Sequence, residues 1–162
     1  MALFADIPNN MTSEEADRLF TAGVSFMCGK DFPAAYSCLD RLPPKDFRLL
    51  YNKALCCFMV GWHDECHRLL CEAERLVPGS AVTDTERLPE AFLRYLHDKE
   101  FPCCPMPQGT PGSLAYTRIL LLKAEVAFKL HLYGEVKAIS TRLGRKYKHI
   151  ETLINTSNDH GN

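Results

Sequence analysis

His63, His67 and Cys71 recur at intervals of four residues, with Cys66 beside them. On an α-helix that spacing stacks side chains along one face, and imidazoles beside a thiolate are zinc chemistry. A structural zinc draws on four closely presented ligands, and no Cys-x-x-Cys pair completes the set. The pattern therefore predicts apolar packing with a solvated histidine edge and no metal. Cys103 and Cys104 stand together in a proline-rich stretch, where they are expected to be the exposed thiol pair. The run Pro107-Gln108-Gly109-Thr110-Pro111-Gly112 carries glycines but no following Lys-Ser or Lys-Thr, so it reads as a turn and not as a phosphate cradle. No nucleophile motif or paired-carboxylate signature accompanies these groups. No catalytic residue and no cofactor is assigned, and the chain is read as not an enzyme. A metal-binding or enzymatic protein built on His63, His67 and Cys71 is the contrasting class.

These residues must be positioned by helices. Thr12 with Glu15 three residues on forms a capping box, opening a helix that ends at Gly29. Asp31 caps the next, which stops at Pro43-Pro44. Asp46 opens a third, Gly61 breaks it, and a fourth runs from about Trp62 to Val77 before Pro78-Gly79. Pro89 opens a short helix carrying Phe92, Leu93, Tyr95 and Leu96. Glu100 to Gly112 holds four prolines and two glycines and is excluded from helix. From Ser113 two helices are expected, to about Leu132 and from Tyr133 to about Tyr147. His149 to Asn155 is read as an extension of the last, and Thr156 to Asn162 as a frayed polar tail.

At 162 residues and 46% apolar, the chain is long enough to bury a core without metal or disulfides. Its net charge is −1, with Lys and Arg scattered, so no footprint for nucleic acid is present. Arg142, Arg145, Lys146 and Lys148 suit a helix C-terminus. No run approaches the roughly 18 apolar residues of a membrane span. The first ten residues lack a positively charged start and a sustained apolar core, so no secretory signal is read and a cytoplasmic setting is expected. In that setting most of the eight cysteines serve as small apolar packing residues.

Three stretches repeat one another. Gly23, Phe26, Phe32, Ala35 and Leu39 match Ala54, Cys57, His63, Cys66 and Leu70, then Ala124, Ala127, Tyr133, Val136 and Ser140. A small residue early in each of two successive helices lets them approach closely while bulky residues fill the seam. The copies resemble tetratricopeptide repeats. Ala54, Gly61, Cys66 in an alanine slot, Ala73 and Pro78 carry the likeness in the second copy. Gly23, Phe32 and Ala35 carry it in the first, and Ala124 and Tyr133 in the third. Leu42, Ser140 and Leu143 depart from the family pattern. So does the spacing, 31 residues from Gly23 to Ala54 and 70 from Ala54 to Ala124, against a family period of about 34.

The resemblance implies an all-α fold, a right-handed array of antiparallel helix hairpins with about seven helices in a single domain over residues 1–162. Its repeat units lie at about 16–43, 47–78 and 117–147, with an inserted helix and proline-rich loop over 79–112. It also implies that the first helix of each hairpin lines a concave groove for a peptide or partner helix. Carried over residue by residue, the groove comprises Asp17, Phe20, Val24, Met27 and Cys28, then Arg48, Tyr51, Leu55, Phe58 and Met59. Arg118, Leu121, Glu125, Phe128 and Lys129 complete it. Phe20 and Val24 stand where carboxylate-holding members carry Lys and Asn, so a hydrophobic segment is the implied ligand. The expected role is a scaffold or adaptor for another protein or peptide, with a small secretion-type chaperone as the narrower alternative. The competing use of the same face is homodimerisation, or cover by the chain's own Leu3, Phe4 and Ile7, or by Phe92, Tyr95 and Leu96.

Overall fold

The computed structural model describes residues 11–83, 88–101 and 103–160. Among these all regular structure is helical: α1 (Ser13–Cys28), α2 (Phe32–Asp40), α3 (Phe47–Met59), α4 (His63–Leu76), α5 (Gly79–Thr83), α6 (Glu90–Asp98), α7 (Gly112–Lys129), α8 (Tyr133–Arg142) and α9 (Lys148–His160). None is long and apolar enough to cross a membrane. Leu3, Phe4 and Ile7 lie outside the described residues.

Nine helices stand among the described residues, where about seven were expected for the chain. One addition is the short α5 after Pro78. The other is α9, in place of the expected extension of α8 and frayed tail. Gly144 sits at φ +73° and closes off α8, so the chain starts a new helix at Lys148. α9 then continues through the polar tail because Ile150, Leu153 and Ser157 form a buried stripe at helical spacing. The Thr152 and Thr156 hydroxyls donate back to the Lys148 and Thr152 carbonyls at 2.9 Å each, which removes their competition with the helix.

The chain divides into two compact units. The first comprises described residues up to Leu76 together with Pro105–Thr110, and the second Val77–Cys104 with the residues from Pro111 onward. In the first unit α1 packs on α2, α2 on α3, α3 on α4, and α1 also reaches α3. The closest approach is at Gly23, where a Cβ would lie 2.7 Å from Leu39 Cδ2. In the second unit α7 carries the core against α8 and α9, with Leu120, Leu121, Ala124, Ala127, Val136, Ile139, Tyr147, Ile150 and Leu153 buried together. Helix α5 also meets α7, with Gly112 set closely against Ala81.

The capping signals act as their chemistry requires. Thr12 Oγ1 accepts from Glu15 N at 3.1 Å while Thr12 N donates to Glu15 at 3.2 Å. The Asp31 and Asp46 carboxylates accept from Ala34 N and Arg48 N, at 3.2 and 2.7 Å.

Four chain reversals use one hydrogen-bond pattern. After α1, the Gly29, Lys30 and Asp31 amides donate to the carbonyls of Ser25, Met27 and Phe26; after α3, Val60, Gly61 and Trp62 donate to Cys56, Phe58 and Cys57. After α7, Leu130, His131 and Leu132 donate to Val126, Phe128 and Ala127, and after α8, Leu143, Gly144 and Arg145 donate to Ile139, Thr141 and Ser140. The middle residue is left-handed each time: Lys30 at φ 62°, Gly61 at 85°, His131 at 61° and Gly144 at 73°. An L side chain is strained there and glycine is not. Lys30→Gly is therefore expected to stabilise by about 0.5–1 kcal/mol, and Gly61→Ala to destabilise by about 1 kcal/mol although its Cβ would meet nothing within 4 Å. Urea titration of the two variants reads both signs; a neutral Gly61→Ala would show a turn that relaxes out of the left-handed region.

Candidate functional site

Helix α3 is buried along almost its whole length, at Phe47 and from Leu49 to Cys57. A helix enclosed by neighbours must be apolar nearly all round, as Phe47–Met59 is. Arg48, Asn52 and Lys53 interrupt that pattern, and each meets a defined partner. The Lys53 ammonium pairs with Asp40 Oδ1 at 3.0 Å and lies over the Tyr36 ring. Arg48 and Asn52, four residues apart, share a face, and Pro105–Thr110 lies against it.

Asn52 binds the main chain of Met106 twice. Met106 N donates to Asn52 Oδ1 at 2.8 Å, and Asn52 Nδ2 donates to the Met106 carbonyl at 2.8 Å. The Met106 side chain is wholly buried, at 0% exposure. Arg48 Nε donates to the Thr110 carbonyl at 2.9 Å, while its guanidinium stacks over Phe47. Gln108 Nε2 donates to Asp17 Oδ1 on α1 at 3.0 Å. Between the anchor and the end of the segment, Thr110 N and Oγ1 both donate to the Pro107 carbonyl, at 3.1 and 2.8 Å, folding the chain into a turn. Pro107, Gln108 and Gly109 are exposed. The α1–α3 face thus holds a segment of its own chain by hydrogen bonds to the main chain of Met106 and Thr110 and to the Gln108 side chain, with Met106 as the buried apolar anchor.

The groove residues read from the sequence fall in the two units. In the first, Phe20, Met27, Tyr51 and Leu55 are buried, Val24, Arg48 and Phe58 are half-buried, and Asp17, Cys28 and Met59 are exposed. Of these, Asp17 and Arg48 bond the segment. In the second, Leu121 and Arg118 line a small cavity with Leu96, Lys99, Leu114, Thr117 and Tyr147. Glu125 bonds His149 of α9, Phe128 lies 5.9 Å from the Tyr133 ring, and Lys129 is exposed. Phe92 and Tyr95, considered as cover, are 59% and 63% exposed; only Leu96 of that trio packs inward.

Asn52 was not among the residues singled out from the sequence. Its signal was present: a lone amide in the middle of an apolar helix, four residues after an arginine. Aligning the copies at Ala54 and Ala124 puts Leu122, fully buried, in the corresponding slot, so the second copy alone carries this clamp.

The thiol and imidazole candidates do not assemble. The His63 ring packs on Phe58 at 5.5 Å, and His67 Nδ1 lies 3.9 Å from Cys71 Sγ. Among the described residues no three His, Cys, Asp or Glu side chains are placed to hold a metal. Cys103, expected to be exposed, is buried and Cys104 half-buried, whereas Cys28 is the exposed thiol. An apolar concavity of about 320 Å³ elsewhere in the first unit is lined by Phe32, Pro33, Tyr36, Cys56, Cys57, Val60 and Trp62. Burial pushes the Cys56 thiol up to about 12, and burial with nearby Glu65 pushes Cys57 up to about 11. Burial raises Cys66 as well. These thiols stay protonated at neutral pH.

Comparison with protein-family models, with curated proteins and with solved structures returned no match.

Proposed function

We propose that the chain is a non-catalytic protein–protein interaction module, a scaffold or adaptor of the tetratricopeptide-repeat type, whose first unit binds a hydrophobic peptide segment on its α1–α3 face. The observation that carries this reading is the pair of hydrogen bonds from Asn52 to the main chain of Met106. A side-chain amide that satisfies both the N–H and the C=O of one residue holds an extended backbone whatever its side chains, while a neighbouring apolar pocket selects one of them. The small buried residues Gly23, Ala54 and Ala124, at matched offsets in successive copies, support the repeat assignment. Eight free cysteines suit a reducing, cytoplasmic setting.

A displayed library of random peptides tests this. Panned on the purified chain and on its Met106→Asp variant, in which the internal segment is released, the library should yield binders. Those binders should weaken at least about tenfold when Asn52→Ala is added, the loss of two hydrogen bonds to a peptide. Binders indifferent to Asn52, or none on either protein, would contradict the reading.

A further inference from the structure

Residues 105–110 are held as a ligand is held. The contacts from the helices go to main-chain atoms of Met106 and Thr110, to the Gln108 amide, and to one unbranched apolar side chain, that of Met106. Nothing in that set requires the segment to belong to this chain. Pro105 and Pro107 flank the anchor; each fixes its own φ and biases the residue before it toward extended backbone, which lowers the entropy lost on docking. Met106 keeps the one N–H that Asn52 needs, and its flexible thioether fills an irregular pocket without demanding a shape. The turn from Pro107 to Thr110 then presents the Thr110 carbonyl to Arg48.

We infer that Pro105–Thr110 is an intramolecular pseudo-ligand, and that the groove's external partner is an extended protein segment carrying a methionine between prolines. The inference rests on the peptide-binding reading above and adds to it the ligand's chemistry and its control. A tethered segment acts at an effective concentration of about millimolar, so an external peptide of micromolar intrinsic affinity meets a groove already taken. Access requires release of the internal segment.

The test uses a fluorescein-labelled peptide, Pro-Met-Pro-Gln-Gly-Thr-Pro, titrated by anisotropy into the full chain and into Met106→Asp, with a peptide carrying Asp in place of Met as control. The expected result is binding to Met106→Asp at least about a hundredfold tighter than to the unaltered chain, abolished by Asn52→Ala and absent for the control. Equal binding to both proteins, equal binding of both peptides, or no binding to a folded Met106→Asp would overturn the inference. Library binders that need Asn52 but lack a methionine beside proline would also overturn it while leaving the peptide-binding reading intact. If Met106→Asp does not fold, hydrogen exchange of the unaltered chain decides. A Met106 amide that opens more readily than the slowest amides of α3 supports the inference, and one that opens only with them overturns it.

Discussion

Tyr51→Ala is expected to destabilise the first unit by about 3–5 kcal/mol, the range for removing a fully buried aromatic ring. Tyr51 has no exposed surface, and it lies in the middle of α3, whose neighbours surround it. Removing the ring leaves a void in a close-packed seam that the adjoining helices can fill only in part. The chain has one tryptophan, Trp62, in the first unit, so its fluorescence reports that unit during urea unfolding. With a slope of about 1–3 kcal/mol per molar urea, the Trp62-detected midpoint should fall by more than about 1 M. An unchanged midpoint would contradict the placement of Tyr51 in the core. The same result bears on function, because loss of partner binding by this variant would reflect unfolding and not loss of a contact.

Met106→Asp is expected to release residues 105–110 while the helices remain. A buried methionine contributes about 2–5 kcal/mol relative to a truncated side chain, and a carboxylate in its place adds a cost of several kcal/mol if it stays inside. Leaving the pocket is the less costly course, since Pro107, Gln108 and Gly109 already face solvent. The measurement is amide exchange over 105–110 beside far-UV circular dichroism. Loss of protection at Met106 and Thr110 with helicity kept is the expected pattern. Met106→Leu, which keeps volume and polarity, should cost less than about 1.5 kcal/mol and retain protection. Protection retained in Met106→Asp would show that the segment is held by something other than its anchor.

The elements were legible where local chemistry decides them. Thr12 with Glu15, Asp31, Asp46, Pro43-Pro44 and Gly61 are start and stop signals whose energetics lie within one or two turns, and the helices begin and end beside them. The break at Gly144 and the separate helix from Lys148 were harder to read, because α9 is specified by tertiary burial of Ile150 and Leu153 and not by its polar composition. Small residues at matched offsets are legible in the sequence, whereas the shared hydrogen-bonded turn follows α1, α3, α7 and α8 alike.

The site was legible in part. Asp17 and Arg48 could be placed by register, since a resemblance to a repeat carries a position over without needing a partner for it. What occupies the face could not be read, because the contact of Asn52 with Met106 spans 54 residues and joins an apolar helix to a segment that looks like a linker. The prolines that argue against helix over Glu100 to Gly112 equally suit a linker or a segment docked on a helix face, and the sequence alone does not distinguish the two. Met106 between Pro105 and Pro107, with Asn52 four residues after Arg48, is the pair of signals that joins them.

The side-chain amide of Asn52 reads the clamp itself. In ¹H–¹⁵N correlation spectra the account predicts a downfield-shifted Asn52 amide pair in the unaltered chain, reflecting the 2.8 Å bond to the Met106 carbonyl. In Met106→Asp that resonance should move to a solvent-like position and return downfield when the Pro-Met-Pro-Gln-Gly-Thr-Pro peptide is added. A resonance that stays solvent-like through saturating peptide, in a variant whose other amides remain dispersed, would contradict the claim that this face is a peptide site.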